Sequence, residues 1–432
     1  MSSNEEFLSF KELTTDIEFI QVDSIFGFTS IGEGAIFEAD LFAPGANVRN
    51  SEQDELLGTK TGEFTAIAQL GNGEFIAEIT ETTQLPTGEI FTEGLFNVRE
   101  LETSETQTIQ IAGGTGDFND VRGVETITQP DLFVFDIVDV SFQQLEEIKG
   151  SGNSDIIIGK NHSEFITGDN GDDIIKGGQG NDIIEGGRGG DIILGGAGDD
   201  TLAADRTDRF QDFDGFQSKL KGDNGDDIIY GGSKNDLIGG GNDDDLLFGE
   251  SGDDLIRGGN GFDLLQGGVG NDILRGQGGI DVANYSDLTF NGVFGSVAGV
   301  DLNLQINQAK HSSDNNALTW TDTLTTIENV IGTSRNDRFI GDNGDNVING
   351  LEEVGRDDRQ TEFIGLDGES YQATGDVVEY DGNKSDFTFG ESQQPFAGGL
   401  TVTGHEIGTD ILLGIEFIKF KDGLVATNSI NY

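Results

Sequence analysis

Over residues 222–284 the chain reads GDNGDDIIY, GGSKNDLIG, GGNDDDLLF, GESGDDLIR, GGNGFDLLQ, GGVGNDILR, GQGGIDVAN, seven nine-residue units in one unbroken phase. Four more, GDNGDDIIK, GGQGNDIIE, GGRGGDIIL and GGAGDDTLA, occupy residues 168–203. Every unit carries aspartate at its sixth position: Asp173, Asp182, Asp191 and Asp200, then Asp227, Asp236, Asp245, Asp254, Asp263, Asp272 and Asp281. All but the last place a large aliphatic at the eighth. Glycine stands first at Gly168, Gly177, Gly186, Gly195, Gly222, Gly231, Gly240, Gly249, Gly258, Gly267 and Gly276. It recurs at the fourth position at Gly180, Gly189, Gly198, Gly225, Gly252, Gly261 and Gly270. Counting back by nines reaches Glu164 and Asp155, so the array begins in degenerate form near Gly150.

Each part of the unit has a physical reason. Glycines let a short turn take positive φ and let carbonyls crowd one point, which a Cβ resists. The last three residues make a minimal strand, and alternation puts the eighth residue on the core side. Two units then close one turn of a coil. Residues eighteen apart stack at one strand spacing of about 4.8 Å, with Asp173 over Asp191 and Asp245 over Asp263. Stacked carboxylates repel, and such a coil has no wide core, so it needs a cation. Carboxylates and carbonyls are hard oxygen donors that suit Ca²⁺, which accepts six to eight of them in flexible geometry. Mg²⁺ fits less well because it demands near-octahedral geometry and keeps its waters. A disordered Gly/Asp linker accounts for the composition but not for the fixed phase. The unit resembles the nonapeptide of the RTX calcium-binding proteins over about residues 150–350. That resemblance implies multiple Ca²⁺ ions, with the aspartates and glycines named above as their sites.

Composition bounds the rest. The 432 residues allow two or three domains. Eighty acids against 24 bases give a formal charge of −56, which excludes a simple nucleic-acid or anionic-membrane binder. There is no cysteine, hence no disulfide, thiolate metal site or cysteine nucleophile. The opening residues, MSSNEEFLSFKELTTD, lack the basic and apolar regions of a signal peptide, and no apolar run is long enough to span a membrane. The RTX resemblance therefore implies an extracellular protein with a C-terminal uncleaved signal and the type I secretion machinery as partner.

Residues 1–145 have fewer glycines and several alternating stretches, with candidate strands at 17–22, 35–42, 62–70, 74–83, 89–97, 106–111, 121–128 and 132–140. Regular short strands of this kind read as a sandwich or closed barrel. The segment IQIAGGTGDF (109–118) followed by Val121-Arg122-Gly123 resembles the hairpin of dirigent proteins and the allene oxide cyclase barrel. GTKTGEF (58–64) and TGEIFTEG (87–94) resemble further strands of those families. The resemblance implies an eight-stranded antiparallel barrel around an apolar pocket for a hydrophobic small molecule. Candidate catalytic residues are Glu38, Asp40, Glu78 and Glu93, each sharing a strand face with apolar neighbours, and Arg122 at the hairpin end. The opposite face of the second strand, Ala35, Phe37, Ala39 and Leu41, serves equally well as the core, leaving those acids solvated.

The segment 204–221, with Arg206, Arg209, Phe210, Phe213 and Phe216, interrupts the repeat without changing its phase, as two strayed units or a surface loop. Asp281-Val282-Ala283-Asn284-Tyr285-Ser286 and the segment 327–334 resemble the end of serralysin-type RTX arrays. Degenerate units over 332–349 carry Asp337 and Asn346 at the sixth position, and the neutral amide is expected to bind a cation less tightly. Segments 376–380 and 408–417 resemble the capping and secretion module, expected over 351–432. The protease motif H-E-x-x-H is missing, since His405-Glu406 is followed by Ile407-Gly408-Thr409. The expected chain is all-β: a barrel, a parallel roll and a β-rich cap. Its expected function is a secreted calcium-folded roll carrying a barrel that binds, cyclises or couples a hydrophobic small molecule. The other reading is a non-catalytic structural or surface-layer protein.

Overall fold

The computed structural model describes residues 6–19, 34–42, 56–69, 75–85, 88–97, 106–115, 123–128, 137–204, 217–286, 297–313, 319–333, 335–351, 361–366, 370–393, 396, 399–404 and 407–430. The chain forms two compact units, one over most of residues 1–147 and one over most of 148–432. No helix among the described residues is long and apolar enough to cross a membrane.

The first unit is a closed barrel of eight antiparallel strands in chain order: β1 (Glu6–Phe19), β2 (Gly34–Phe42), β3 (Leu56–Gln69), β4 (Phe75–Leu85), β5 (Gly88–Asn97), β6 (Thr106–Gly114), β7 (Gly123–Thr128) and β8 (Ile137–Gln144). β1 closes on β8, pairing Phe10 with Val140, so the sheet has no free edge. Two expected strands move. Of the stretch 17–22, residues 17–19 form the end of β1, and of 132–140, residues 137–140 open β8; residues 20–22 and 132–136 lie outside the described residues. A register shift between Thr14 and Asp16 breaks the alternation of β1, which hides its first half from a period-two pattern.

The second unit is the two-sheet parallel roll. The first sheet stacks Ile156–Ile158, Ile174–Gln179, Ile192–Ala197, Lys219–Asn224, Leu237–Asn242, Leu255–Gly261 and Ile273–Gly279. The second stacks Glu164–Asn170, Ile183–Arg188, Thr201–Ala203, Ile228–Tyr230, Leu246–Phe248, Leu264–Gln266 and Val282–Asn284. Register is in steps of eighteen, as in Ile174↔Ile192 and Leu246↔Leu264. Each unit sends one aliphatic inward. Ile175, Ile193, Ile238, Ile256 and Leu274 face Ile184, Leu202, Ile229, Leu247 and Leu265, all fully buried in a core one residue deep from each sheet.

Two expectations about boundaries are revised. At the interruption the register steps by 27, as in Ile192↔Lys219 and Thr201↔Ile228. Lys219-Leu220-Lys221 is therefore a strand of the coil, with Ser218 in the place of the sixth-position aspartate, and the excursion ends before it. The roll also continues beyond 350. Val377–Glu379 and Phe417–Phe420 extend the first sheet, and Gly408–Leu413 pairs in parallel with Val347–Asn349 in the second. Long connections between these strands erase the nine-residue spacing while the pairing persists. The ends turn antiparallel, through Gly423–Ala426 in one sheet and through Leu400–Gly404 and Thr388–Glu391 in the other. Tyr380, Phe387, Phe389 and Phe420 pack ring on ring in this end of the core.

Candidate cation sites and barrel interior

The turn that closes each unit places oxygens by backbone geometry. In the unit 249–257 the second and fourth residues, Glu250 and Gly252, take φ of 71° and 134°, and the chain folds back on itself between them. A methyl group on Gly249 would fall against Asp254 Oδ2 and 2.6 Å from the carbonyl oxygen of Gly267, one coil on. The same pair recurs at Gly177 with Asp182 Oδ2 and the Gly195 carbonyl, and at Gly195 with Asp200 Oδ2 and the Gly222 carbonyl. Carboxylate and carbonyl thus converge where the first glycine has no side chain. The fourth-position glycines meet the coil before instead: a Cβ on Gly252 would strike the Lys234 backbone, so their role is close stacking.

The two oxygens of each sixth-position carboxylate have different fates. Oδ1 accepts the amide of the sixth residue one coil earlier: Asp173 N donates to Asp191 Oδ1 at 2.8 Å, Asp227 N to Asp245 Oδ1 at 2.9 Å and Asp254 N to Asp272 Oδ1 at 2.8 Å. Oδ2 of Asp173, Asp200, Asp227, Asp236, Asp245, Asp254, Asp263, Asp272 and Asp281 is buried and makes no hydrogen bond among the described residues. A buried anionic oxygen without a partner is costly. Burial accordingly pushes Asp245 and Asp254 up to about 9, Asp200, Asp227 and Asp272 to about 8, and Asp236, Asp263 and Asp281 to about 7. Neighbouring carboxylates raise them further, and the amides on Oδ1 offset part of the rise.

At several places outside the consensus units the protein itself satisfies these oxygens. Asp155 Oδ2 accepts from Ser151 N at 2.6 Å and Ser151 Oγ at 2.8 Å. Asp322, which takes the sixth-residue place after Asp272, accepts the Tyr285 hydroxyl on Oδ2 at 2.9 Å, with His311 Nε2 3.2 Å from the same oxygen. Asp337 Oδ2 accepts Thr333 N at 2.7 Å, and Asp410 Oδ2 accepts the Tyr380 hydroxyl at 2.9 Å. Asn346, expected to be a weaker ligand, donates its amide to Glu328 O at 2.9 Å and to Asp342 Oδ1 at 3.2 Å. The main file of buried carboxylate oxygens without a hydrogen bond among the described residues lies between Asp173 and Asp281. The two tyrosines went unread because their only signal is an aromatic just after a strand, far in sequence from its partner.

The donor set fits a calcium shell. Beside the carboxylates, the carbonyls that crowd the first-position glycines would supply further oxygens, as a flexible hard-cation shell permits. The aspartates and first-position glycines named from sequence are brought together in this way.

In the barrel, the buried row of β4 is Ala77, Ile79, Glu81, Thr83 and Leu85, while Thr80 and Gln84 are exposed. Glu81 and Thr83 pair in register with Thr92 and Ile90 of β5, also buried. Because the sheet is closed, that row faces the lumen. Glu81 is 5% exposed and accepts the Thr92 hydroxyl on Oε2 at 2.9 Å, while the buried Thr83 hydroxyl makes no hydrogen bond. Among the residues whose burial is described, Glu81 is thus an interior acid, which sequence reasoning missed, although the run 77-79-81-83-85 announces it once the strand is carried to Leu85. Glu93 stands opposite exposed Thr80, and Glu78 lies two positions before Thr80 in β4. Glu38 and Asp40 stand opposite Thr61 and Thr59. Arg122 lies outside the described residues.

Fold and site together define a closed antiparallel barrel followed by a parallel roll lined with oxygen cradles. Residues 15–133 match the allene oxide cyclase barrel-like domain. Residues 167–202, 221–256, 248–283 and 325–352 match the RTX calcium-binding nonapeptide repeat. The chain accordingly carries an allene-oxide-cyclase-like barrel domain and a calcium-binding RTX repeat region. No curated protein matches it. Solved structures similar to it include a pyocyanin demethylase (18% identity, covering 32% of this chain and 98% of that one, TM-score 0.25). A pterocarpan synthase dirigent protein is 16% identical over 33% of this chain and 88% of that one, TM-score 0.25. A Diels-Alderase from Streptomyces koyangensis is 11% identical over 32% and 61%, TM-score 0.25.

Proposed function

We propose that this is a secreted protein whose roll folds when calcium binds and which thereby displays a barrel for a small hydrophobic molecule. The observation that carries the first part is the file of buried Oδ2 atoms without hydrogen bonds among the described residues, in contrast to Asp155 and Asp322, whose Oδ2 atoms the protein satisfies itself. Asp173 to Asp281 and the carbonyls beside their first-position glycines would hold the ions. Bound calcium supplies the positive charge that lets ionised carboxylates be buried. In a calcium-poor cytoplasm the repelling files keep the segment extended and able to pass a type I secretion channel. Extracellular sites of this class bind with Kd of order 10⁻⁴–10⁻³ M, so millimolar calcium outside drives folding.

The barrel reading rests on Glu81 and Thr92, a hydrogen-bonded polar pair among Ile79, Ile90 and Ile111 in the buried interior. A mainly apolar lining with a few placed polar groups is how small-molecule sites orient a ligand. The Glu81 carboxylate is positioned to hold or move a proton at a ligand's polar atom.

Far-UV circular dichroism of the full chain during a calcium titration from chelator tests the first part. Strand signal that grows cooperatively at roughly 0.1–1 mM Ca²⁺ supports it; a spectrum indifferent to chelator removes it. Fluorescence of an environment-sensitive hydrophobic probe, with Glu81→Gln beside the parent chain, tests the second. A barrel that takes no probe sinks it.

A further inference from the structure

The two outer faces of the roll differ. On the second sheet most outward residues are buried: Ile183, Glu185, Leu246, Leu264, Gln266, Val282 and Asn284 are each under 9% exposed, and Thr201, Ile228, Tyr230 and Phe248 are half-buried. The first sheet lies open. Its strands align in register so that one file along the roll axis runs Ile158, Lys176, Leu194, Lys221, Gly239, Arg257, Arg275. The neighbouring file runs Ile156, Ile174, Ile192, Lys219, Leu237, Leu255, Ile273. Ile156 and Ile158 are 75% and 71% exposed. Lys176, Lys219, Lys221 and Arg257, with Ile192 and Leu237 beside them, line an open groove of about 1190 Å³. Five cations thus share one sheet face in a chain of net charge −56 that has only 24 bases. Lys221 is paired with Asp223, whereas Lys176, Lys219, Arg257 and Arg275 make no ion pair among the described residues.

We propose that this groove binds a linear acidic polysaccharide lying along the roll axis, its anionic groups on the cation file and its sugar C–H faces on the aliphatic file. Charge complementarity names an anion, and single-file cations name a chain rather than a plane, since a flat membrane does not enter a groove. Cations follow each other at intervals of one or two coils, multiples of about 4.8 Å. A polymer of ring sugars advances by nearly that rise per residue. An extended acidic peptide shows side chains on one face only every second residue, at about 6.6 Å, out of step with the coils. It also finds no ladder to join, because the backbone of this face is already paired within the sheet. Single-stranded nucleic acid wants aromatic platforms, and neither file holds an aromatic residue.

The inference requires only the folded roll, so it stands or falls apart from any activity of the barrel. The test is binding of full-length protein in millimolar calcium to immobilised hyaluronan, a uronate polymer that stays soluble with calcium, with neutral dextran, polyglutamate and anionic phosphatidylserine vesicles alongside. Lys176→Gln/Arg257→Gln/Arg275→Gln changes exposed or half-exposed side chains, and an unchanged circular dichroism spectrum certifies its fold. The expected result is salt-sensitive binding to hyaluronan alone, weakened roughly tenfold or more in the triple variant and unchanged in Lys421→Gln, a cation away from the groove. Binding that survives the triple substitution, equal binding to polyglutamate or to the vesicles, or no binding to hyaluronan each overturns the proposal.

Discussion

At the scale of single residues, the two oxygens of one carboxylate separate structure from ligation. Asp245 Oδ1 is committed to the Asp227 amide, and its Oδ2 is left for a cation. Asp245→Asn keeps the amide acceptor and removes the charge. It is expected to move the calcium midpoint of folding upward several-fold in a dichroism titration. Asp322→Asn is expected to leave that midpoint in place, because the Oδ2 of Asp322 already serves Tyr285. It should instead lower thermal stability by about 1–3 kcal/mol, the cost of disturbing a buried charged hydrogen bond, read by calorimetry in saturating calcium. In the barrel, strand parity made Glu81 legible once the strand's true end was known. The candidates Glu38, Asp40, Glu78 and Glu93 came from equally regular alternation, and a period-two pattern cannot say which of its two faces is the inner one.

At the scale of the coil, glycine is required where backbone and ligand meet and optional elsewhere. A methyl at Gly249 would enter the space shared by Asp254 Oδ2 and the Gly267 carbonyl, whereas one at Gly239 would meet only Lys221 Cγ at 3.9 Å. Gly249→Ala should therefore abolish calcium-dependent gain of structure over neighbouring coils. Gly239→Ala should leave the titration unchanged, and hydrogen exchange of the strand amides distinguishes the two. The core is equally local. Ile256 is fully buried between two sheets that contribute one aliphatic per unit. Ile256→Ala should cost about 2–5 kcal/mol in calcium, as for a core truncation that cannot collapse, measured by denaturant unfolding.

At the scale of the whole molecule, charge and burial set opposite pH responses with and without calcium. The ordinary aspartate value is 3.8, and burial without a cation lifts the roll carboxylates to between about 7 and about 9. A group that holds its proton more tightly when folded stabilises the fold fully below its unfolded value and loses that contribution as pH rises through the folded one. In chelator, then, strand content should be greatest near pH 4 and fall away towards pH 9. With calcium the sign reverses, because the ion takes ionised ligands: acidification from neutrality should raise the calcium concentration needed to fold. Dichroism over a pH series with and without calcium checks both limbs, and parallel curves would contradict the account.

Sequence alone determined the repeat, its two-unit coil, the aliphatic core file and the stacked files of aspartates, because each depends on contacts between residues at fixed short separations. It also carried the barrel, through strands joined in order by turns. Tertiary structure alone decided which carboxylates beyond the consensus units the protein satisfies itself, since Tyr285 reaches Asp322 over 37 residues and Tyr380 reaches Asp410 over 30, distances no periodicity records. It likewise decided that the roll runs on past residue 350, that Lys219 and Lys221 belong to it, and that Glu81 stands inside the barrel. These depend on which strands pair and which face closes inward, and side chains acquire a face only when the sheets close.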